Sequence, residues 1–314
     1  MTLLARRRAM ALATPVGYSW TYRTATASST WRSICWSPEL SLFAAVSDGG
    51  DIMTSPDGIT WAARTPPQPL YWTSICWSPE LGLLVAVAYS GSSNNRIITS
   101  PDGITWTARL TPAGTTAWWS ICWSKEINLF VVTSISGTQR VMTSPDGITW
   151  TLRSTPTVSA WYSVCWAKEL NLFIAVGTGI KIMTSPDGIT WTARDAVQDR
   201  DRWQSVCWSP ELSRLAAVSA YGYIMTSPDG LTWTARSFSP PDPSTQWGSI
   251  CWAAPLSLFV AVGFSGANRI VTSPDGVVWT AQSGFLNAWN SICWSPQLYK
   301  FAAVGNSGAL MTSP

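Results

Sequence analysis

Three sets of side chains in this 314-residue chain recur at spacings that could carry chemistry. Six carboxylates, Asp57, Asp102, Asp146, Asp187, Asp229 and Asp275, sit one in each copy of a Thr-Ser-Pro-Asp-Gly segment. Seven cysteines, at 35, 76, 122, 165, 207, 251 and 293, are separated by steps of 41, 46, 43, 42, 44 and 42 residues. Four cations, Arg96, Arg140, Lys181 and Arg269, stand just ahead of that segment, where three other copies have Asp51, Tyr223 and Ala309. Paired carboxylates would suit glycoside hydrolysis. Cysteines would suit a disulfide framework. Converging cations would grip a carboxylate, sulfate or phosphate.

The spacing decides against the first two. No second carboxylate accompanies each repeated Asp, so the six read as backbone-binding turn residues. An odd number of cysteines at one equivalent position inside an apolar run reads as buried thiols acting as small hydrophobes, made in a reducing compartment. The absence of histidine removes the commonest acid/base group and metal ligand. No cofactor and no metal site are expected. A net charge of +3 is too small to draw nucleic acid by bulk electrostatics, and no apolar run approaches a membrane span. Arg6-Arg7-Arg8 followed by a short apolar stretch makes a poor signal peptide and reads instead as a basic arm over residues 1–16.

The elements that would position these residues repeat with them. A motif Trp-x-Ser-(Ile/Val)-Cys-Trp begins at 31, 72, 118, 161, 203, 247 and 289, and these mark the starts of seven units of roughly 40–50 residues. Each unit holds four short β-forming runs separated by Pro, Gly, Asp and Ser, without a helical period, which predicts a four-stranded antiparallel meander. Three tryptophan positions per unit take up every tryptophan but Trp119. The last unit stops at Thr312-Ser313-Pro314, before its fourth strand. Gly17-Tyr18-Ser19-Trp20-Thr21-Tyr22-Arg23 aligns with Gly58-Ile59-Thr60-Trp61-Ala62-Ala63-Arg64 and supplies that strand. The expectation is an all-β, seven-bladed propeller over 17–314, its ring closed by residues 17–24 as the outer strand of the last blade.

Ser-Pro-Asp-Gly-Ile-Thr-Trp resembles the Asp-box of sialidases and other BNR-like propellers, shortened by one residue between Asp and Gly. The resemblance covers six complete copies. It implies a hairpin between the third and fourth strands, away from the ligand side. It does not extend to a sialidase's arginine triad, tyrosine nucleophile or acid: Asp195, Asp199, Asp201 and Asp242 are the acidic residues of the long links, and nothing marks them as a site. The Trp-rich repeats also resemble those of virus and phage structural proteins.

Alternation places the Ser-Pro-Glu and Asp-box turns on one, nearly invariant face, and the second-to-third-strand loops and blade links on the other, variable face. Function is expected on the variable face. Candidate ligand-binding residues there are Arg96, Arg140, Lys181 and Arg269 for an anionic glycan group, and Tyr89, Tyr221 and Phe264 for stacking. Trp119, outside the tryptophan pattern, is expected to face away from Trp118 and Ser120. The sequence therefore predicts a protein without enzymatic activity: an interaction or scaffold module, in the manner of a virion component, with other structural proteins or a surface glycan as partners. A glycan-binding lectin is the alternative, and a sialidase-like hydrolase comes third.

Overall fold

The computed structural model describes residues 16–90, 94–112, 116–179, 181–197, 202–240, 242, 244–282 and 285–314. The Arg6-Arg7-Arg8 arm and the Lys181 side chain lie outside the described residues. The chain is a seven-bladed β-propeller with no α-helix among the described residues. In the first blade, Trp31–Ser37, Leu42–Ser47, Ile52–Ser55 and Ala62–Arg64 pair in sequence order, each antiparallel to the last. The second strand is buried almost throughout because blades cover both of its sides, so it reads as an unbroken apolar run. The fourth, at the outer edge, is exposed.

Seven apolar clusters occupy the seven gaps between blades. Between the first two, Ala44, Val46 and Ile52 meet Trp72, Ile75, Leu84, Ala86, Ile98 and Trp106, with Cys35 packed alongside. The first tryptophan of each motif is the anchor of such a gap: Trp31, Trp72, Trp161, Trp203, Trp247 and Trp289 are fully buried. Burial pushes the Cys35 and Cys165 thiols up to about 12. They are protonated at neutral pH and poor nucleophiles.

Two rings of hydrogen bonds tie blade to blade. In the first, the motif serine of each blade accepts the backbone N–H two residues past the bulge position of the next. Ile75 donates to Ser33 Oγ (3.2 Å), Ile121 to Ser74, Val164 to Ser120, Val206 to Ser163, Ile250 to Ser205 and Ile292 to Ser249. Ile34 closes the circle on Ser291 Oγ at 3.3 Å. The second ring lies on the invariant face. There the last tryptophan of each motif donates its indole N–H to the preceding blade's turn: Trp77 to Glu39, Trp123 to Glu80, Trp166 to Glu126, Trp208 to Glu169 and Trp252 to Glu211. Trp36 donates to Gln297 across the closure at 2.6 Å. The equivalent acceptor for Trp294 would come from Pro255, which has none to offer, and the Trp294 indole nitrogen is buried without a partner. Pro255→Glu is expected to complete this ring and stabilise the chain by about 1 kcal/mol, read as a rise of about 2 °C in melting temperature. A fall in melting temperature would show that the latch does not form there.

The ring closes through Thr21–Tyr22, which pairs antiparallel with Leu310–Thr312. Arg23 Nε donates to Thr312 Oγ1 at 2.9 Å, the counterpart of Arg64 Nε to Thr54 Oγ1 at 2.8 Å. One blade departs from the four-stranded meander. Phe238–Ser239, in the link before the sixth blade, adds a parallel fifth strand against Trp279–Ala281. Phe238 is buried in the gap beside Trp247, ring centroids 5.3 Å apart, and its burial draws the link onto the outer edge.

The repeated carboxylate of each Ser-Pro-Asp-Gly turn binds its own hairpin. Asp57 Oδ1 accepts from Ile59 N (2.7 Å), Thr60 N (2.8 Å) and Ser55 Oγ (2.9 Å), and the same set recurs at Asp102, Asp146, Asp187, Asp229 and Asp275. Gly58 follows at φ +73, where a Cβ would also press on Phe43 and on Thr312 of the neighbouring blade at 3.3 Å. In Asp102 the Thr105 amide, opposed by partial burial and helped by the Ile104 amide and Ser100, holds the carboxyl below the usual range. A carboxyl depressed in the folded state stabilises above its unfolded value and loses that contribution as pH falls through the folded one. The melting temperature is therefore expected to be flat near neutrality and to fall below about pH 4. Asp102→Asn should be less stable at pH 7 and show a shallower acid limb; parallel pH profiles would contradict this.

Candidate functional site

The innermost strand of every blade contains a β-bulge at the same place. In the first blade Trp31 pairs with Ser47 and Ser33 with Val46, leaving Arg32 without a ladder partner. The skipped residues in the other blades are Thr73, Trp119, Tyr162, Gln204, Gly248 and Asn290. A bulge re-aims the side chain it carries. Here all seven positions, six side chains and the Gly248 backbone, line one central cavity of about 560 Å³, which the seven motif serines also line. Ile135 and Asn306 from second-to-third-strand loops, Phe264 from the end of the second strand Leu258–Ser265, and Arg202 from a blade link bound it, so it lies toward the variable face.

One wall carries Trp119 and Tyr162, backed by two more aromatic rings. Tyr71, Tyr89, Trp119 and Tyr162 follow one another at centroid distances of 5.4, 6.0 and 5.7 Å, the last pair edge to face at 85°. The Arg202 guanidinium lies 5.3 Å from the centre of the Tyr162 ring, within cation–π range. With the Gln204 amide turned to match, its carbonyl oxygen accepts from Arg202 Nε (2.6 Å) and Nη2 (2.9 Å). The other wall is polar. Arg32 Nη2 donates to Asp48 Oδ2 at 2.7 Å, and Asn290 Nδ2 donates to Asn306 Oδ1 at 2.7 Å and to Trp31 O at 3.0 Å. Gly248 leaves the sixth blade without a side chain there, because a Cβ would stand 2.7 Å from the Trp289 carbonyl oxygen.

The candidate residues chosen from sequence fall into three groups. Phe264 lines the cavity and Tyr89 supports Trp119 from behind. Tyr221 is exposed on a loop away from it, its N–H bound to Ser219 Oγ at 3.1 Å. The cationic positions do not converge on the cavity. Arg96 donates to Thr116 O at 2.6 Å and Arg269 to the Gly266 and Leu286 carbonyls, so both fasten neighbouring loops. Arg140 keeps Nε and Nη1 sheltered without an acceptor among the described residues, and burial lowers its pKa. Asp242 likewise fastens loops. Its carboxylate accepts from Ser244 Oγ and N, Thr245 Oγ1 and Ala267 N, and these bonds, Ser244 Oγ foremost, hold it well below the usual carboxylate range.

The bulge residues are the part of the motif that marks the cavity. In Trp-x-Ser-(Ile/Val)-Cys-Trp the x is the position that changes in every copy, and strand alternation alone sends Trp119 to the wrong side. Among the described residues no cluster of His, Cys, Asp and Glu could hold a metal, and no helix is long and apolar enough to cross a membrane.

No family model matches this sequence, and no curated protein does. Among solved structures the chain is similar to virginiamycin B lyase from Staphylococcus aureus (TM-score 0.78, 11% identity, 94% of this chain and 99% of that one). It is also similar to a streptogramin B lyase (TM-score 0.80, 10% identity, 96% and 99%) and to YCF48 bound to a D1 peptide (TM-score 0.73, 16% identity, 96% and 99%). At these identities the likeness is one of fold: a seven-bladed propeller over nearly its whole length. It also corrects the expectation that such a chain has no enzymatic activity, because the same architecture carries a lyase. One such neighbour was solved with quinupristin as a catalytically inactive histidine-to-alanine variant. This chain contains no histidine, so any reaction in its cavity would run on other groups.

Proposed function

We propose that this protein is a binding propeller whose partner is a protein segment held in the central cavity on the variable face. The observation that carries the reading is the coincidence of variation and position. Within repeats that are otherwise nearly copies, the residue that differs in each motif is the one a bulge turns into the cavity. A scaffold under pressure only to fold would have no reason to place Arg, Thr, Trp, Tyr, Gln, Gly and Asn at seven equivalent sites. Trp, Tyr and Arg together are the side chains that dominate binding energy at protein interfaces. The peptide-bound YCF48 neighbour shows that a propeller of this shape can hold a protein segment, and that capacity supports the reading here.

A glycan is the second reading, favoured by aromatic faces beside the Gln204 and Asn290 amides. The resemblance of the repeats to virus structural proteins supports a setting in which the cavity is presented from a particle surface. Panning the full chain against displayed peptides and a glycan array tests the proposal. Peptide binders should be recovered and should be lost on Trp119→Ala with Tyr162→Ala. Binders that ignore this double variant would place the site elsewhere, and selection of glycans alone would favour the second reading.

A further inference from the structure

Resting on that reading, we infer that the group seated deepest in the cavity is a carboxylate of the bound protein segment, with an aromatic side chain beside it. The floor supplies the first argument. Each of the seven motif serines lines the cavity and spends an Oγ lone pair on the next blade's backbone N–H. The hydroxyl hydrogen remains, and among the described residues none of these serines donates it to a protein acceptor. A hydroxyl has one hydrogen to give. The fold thus lines the cavity with a closed ring of seven hydroxyls, each with a hydrogen that can turn to an anion's oxygens.

Charge supplies the second. Two guanidiniums, Arg32 and Arg202, line the cavity, and among the described residues no carboxylate does. Arg32 is matched by Asp48 at 2.7 Å. Among the described residues Arg202 meets only neutral partners, the Tyr162 face and the Gln204 carbonyl, which leaves its charge for a ligand. One uncompensated guanidinium fits a single negative charge and the planar fork of a carboxylate. Beside it the edge-to-face pair of Trp119 and Tyr162, with Phe264 at the end of its strand, offers apolar faces that a ring would fill.

A chain-terminal carboxylate and an acidic side chain share this chemistry, and three peptide probes separate them. Acetyl-Ala-Ala-Phe with a free terminus, the same peptide amidated, and amidated acetyl-Asp-Phe-Ala are titrated into the full chain by calorimetry up to about 10 mM, alongside sialyllactose. At least one peptide carboxylate should bind tenfold or more tighter than the neutral amide, and more weakly as salt rises. Arg202→Gln, which keeps the backbone bond from Ala220 N to residue 202 O, should erase that difference while the melting temperature moves by only a few degrees. Equal binding of the neutral peptide would overturn the carboxylate while leaving the cavity as the peptide site. Sialyllactose binding above every peptide would overturn the protein source, and no binding by any probe would overturn both.

Discussion

A chain lacking residues 1–24 is expected to lose several kcal/mol of stability relative to the intact chain and to aggregate on heating. The segment carries more than a short ladder. Thr21 and Tyr22 pair with Thr312 and Met311, and Arg23 N donates to Leu310 O at 2.8 Å. Trp20 is 7% exposed within the cluster between the sixth and seventh blades, its ring 6.0 Å from that of Phe301. Losing a buried tryptophan costs about 3–5 kcal/mol, a large share of the 5–15 kcal/mol that holds a typical domain. The deletion also bares Leu310–Thr312 as an unpaired edge, a template for other chains. Inner-strand bonds such as Ile34 N to Ser291 Oγ survive, so the ring should loosen at its rim before it opens. Calorimetry with light scattering checks this; an unchanged monomeric transition would refute closure by the N-terminal strand.

The second large effect is on binding. Trp119→Ala with Tyr162→Ala is expected to weaken any cavity ligand by about a hundredfold or more, since truncation of such aromatic anchors costs about 2 kcal/mol or more each. The melting temperature should move by only a few degrees. Both residues sit at bulges and contribute no side chain to a blade gap, whereas the adjacent Trp118 and Trp161 are buried in the gaps themselves. Replacing Trp161 with Ala should unfold the chain at lower temperature whatever it binds. The two kinds of tryptophan therefore separate function from stability in neighbouring positions.

Most of the architecture is legible in the sequence because it rests on periodic patterns. Alternating apolar residues, the turn chemistry of Ser-Pro-Asp-Gly and the alignment of Gly17–Arg23 with Gly58–Arg64 lead to seven closed blades. The Arg23–Thr312 bond repeats Arg64–Thr54 across the closure. The site is less legible because it depends on a departure from period two. A bulge at Trp119 reverses the direction that alternation assigns, and nothing in the local residue types announces it. The cations at 96, 140 and 269 look alike in sequence, yet Arg96 and Arg269 differ from Arg140 in having loop carbonyls within reach. The parallel strand at Phe238 was hidden for a similar reason: two residues suffice to form it once one apolar ring is buried. What the sequence did carry about the site was the variability of a single motif position, which becomes readable once the seven copies are laid over one another.

The molecule contains its own reporters for the claim that function resides in the central cavity. Trp119 marks the cavity, and the indole N–H groups of Trp77 and Trp123 mark the opposite face, where they bind Glu39 and Glu80 at 2.6 and 2.7 Å. Indole ¹H–¹⁵N resonances, assigned by single substitution, can be followed while a selected binder is added. The account predicts that the Trp119 signal shifts first and furthest while those of Trp77 and Trp123 stay in place. Movement of the Trp77 and Trp123 signals with Trp119 unchanged would put the binding surface on the invariant face and contradict it.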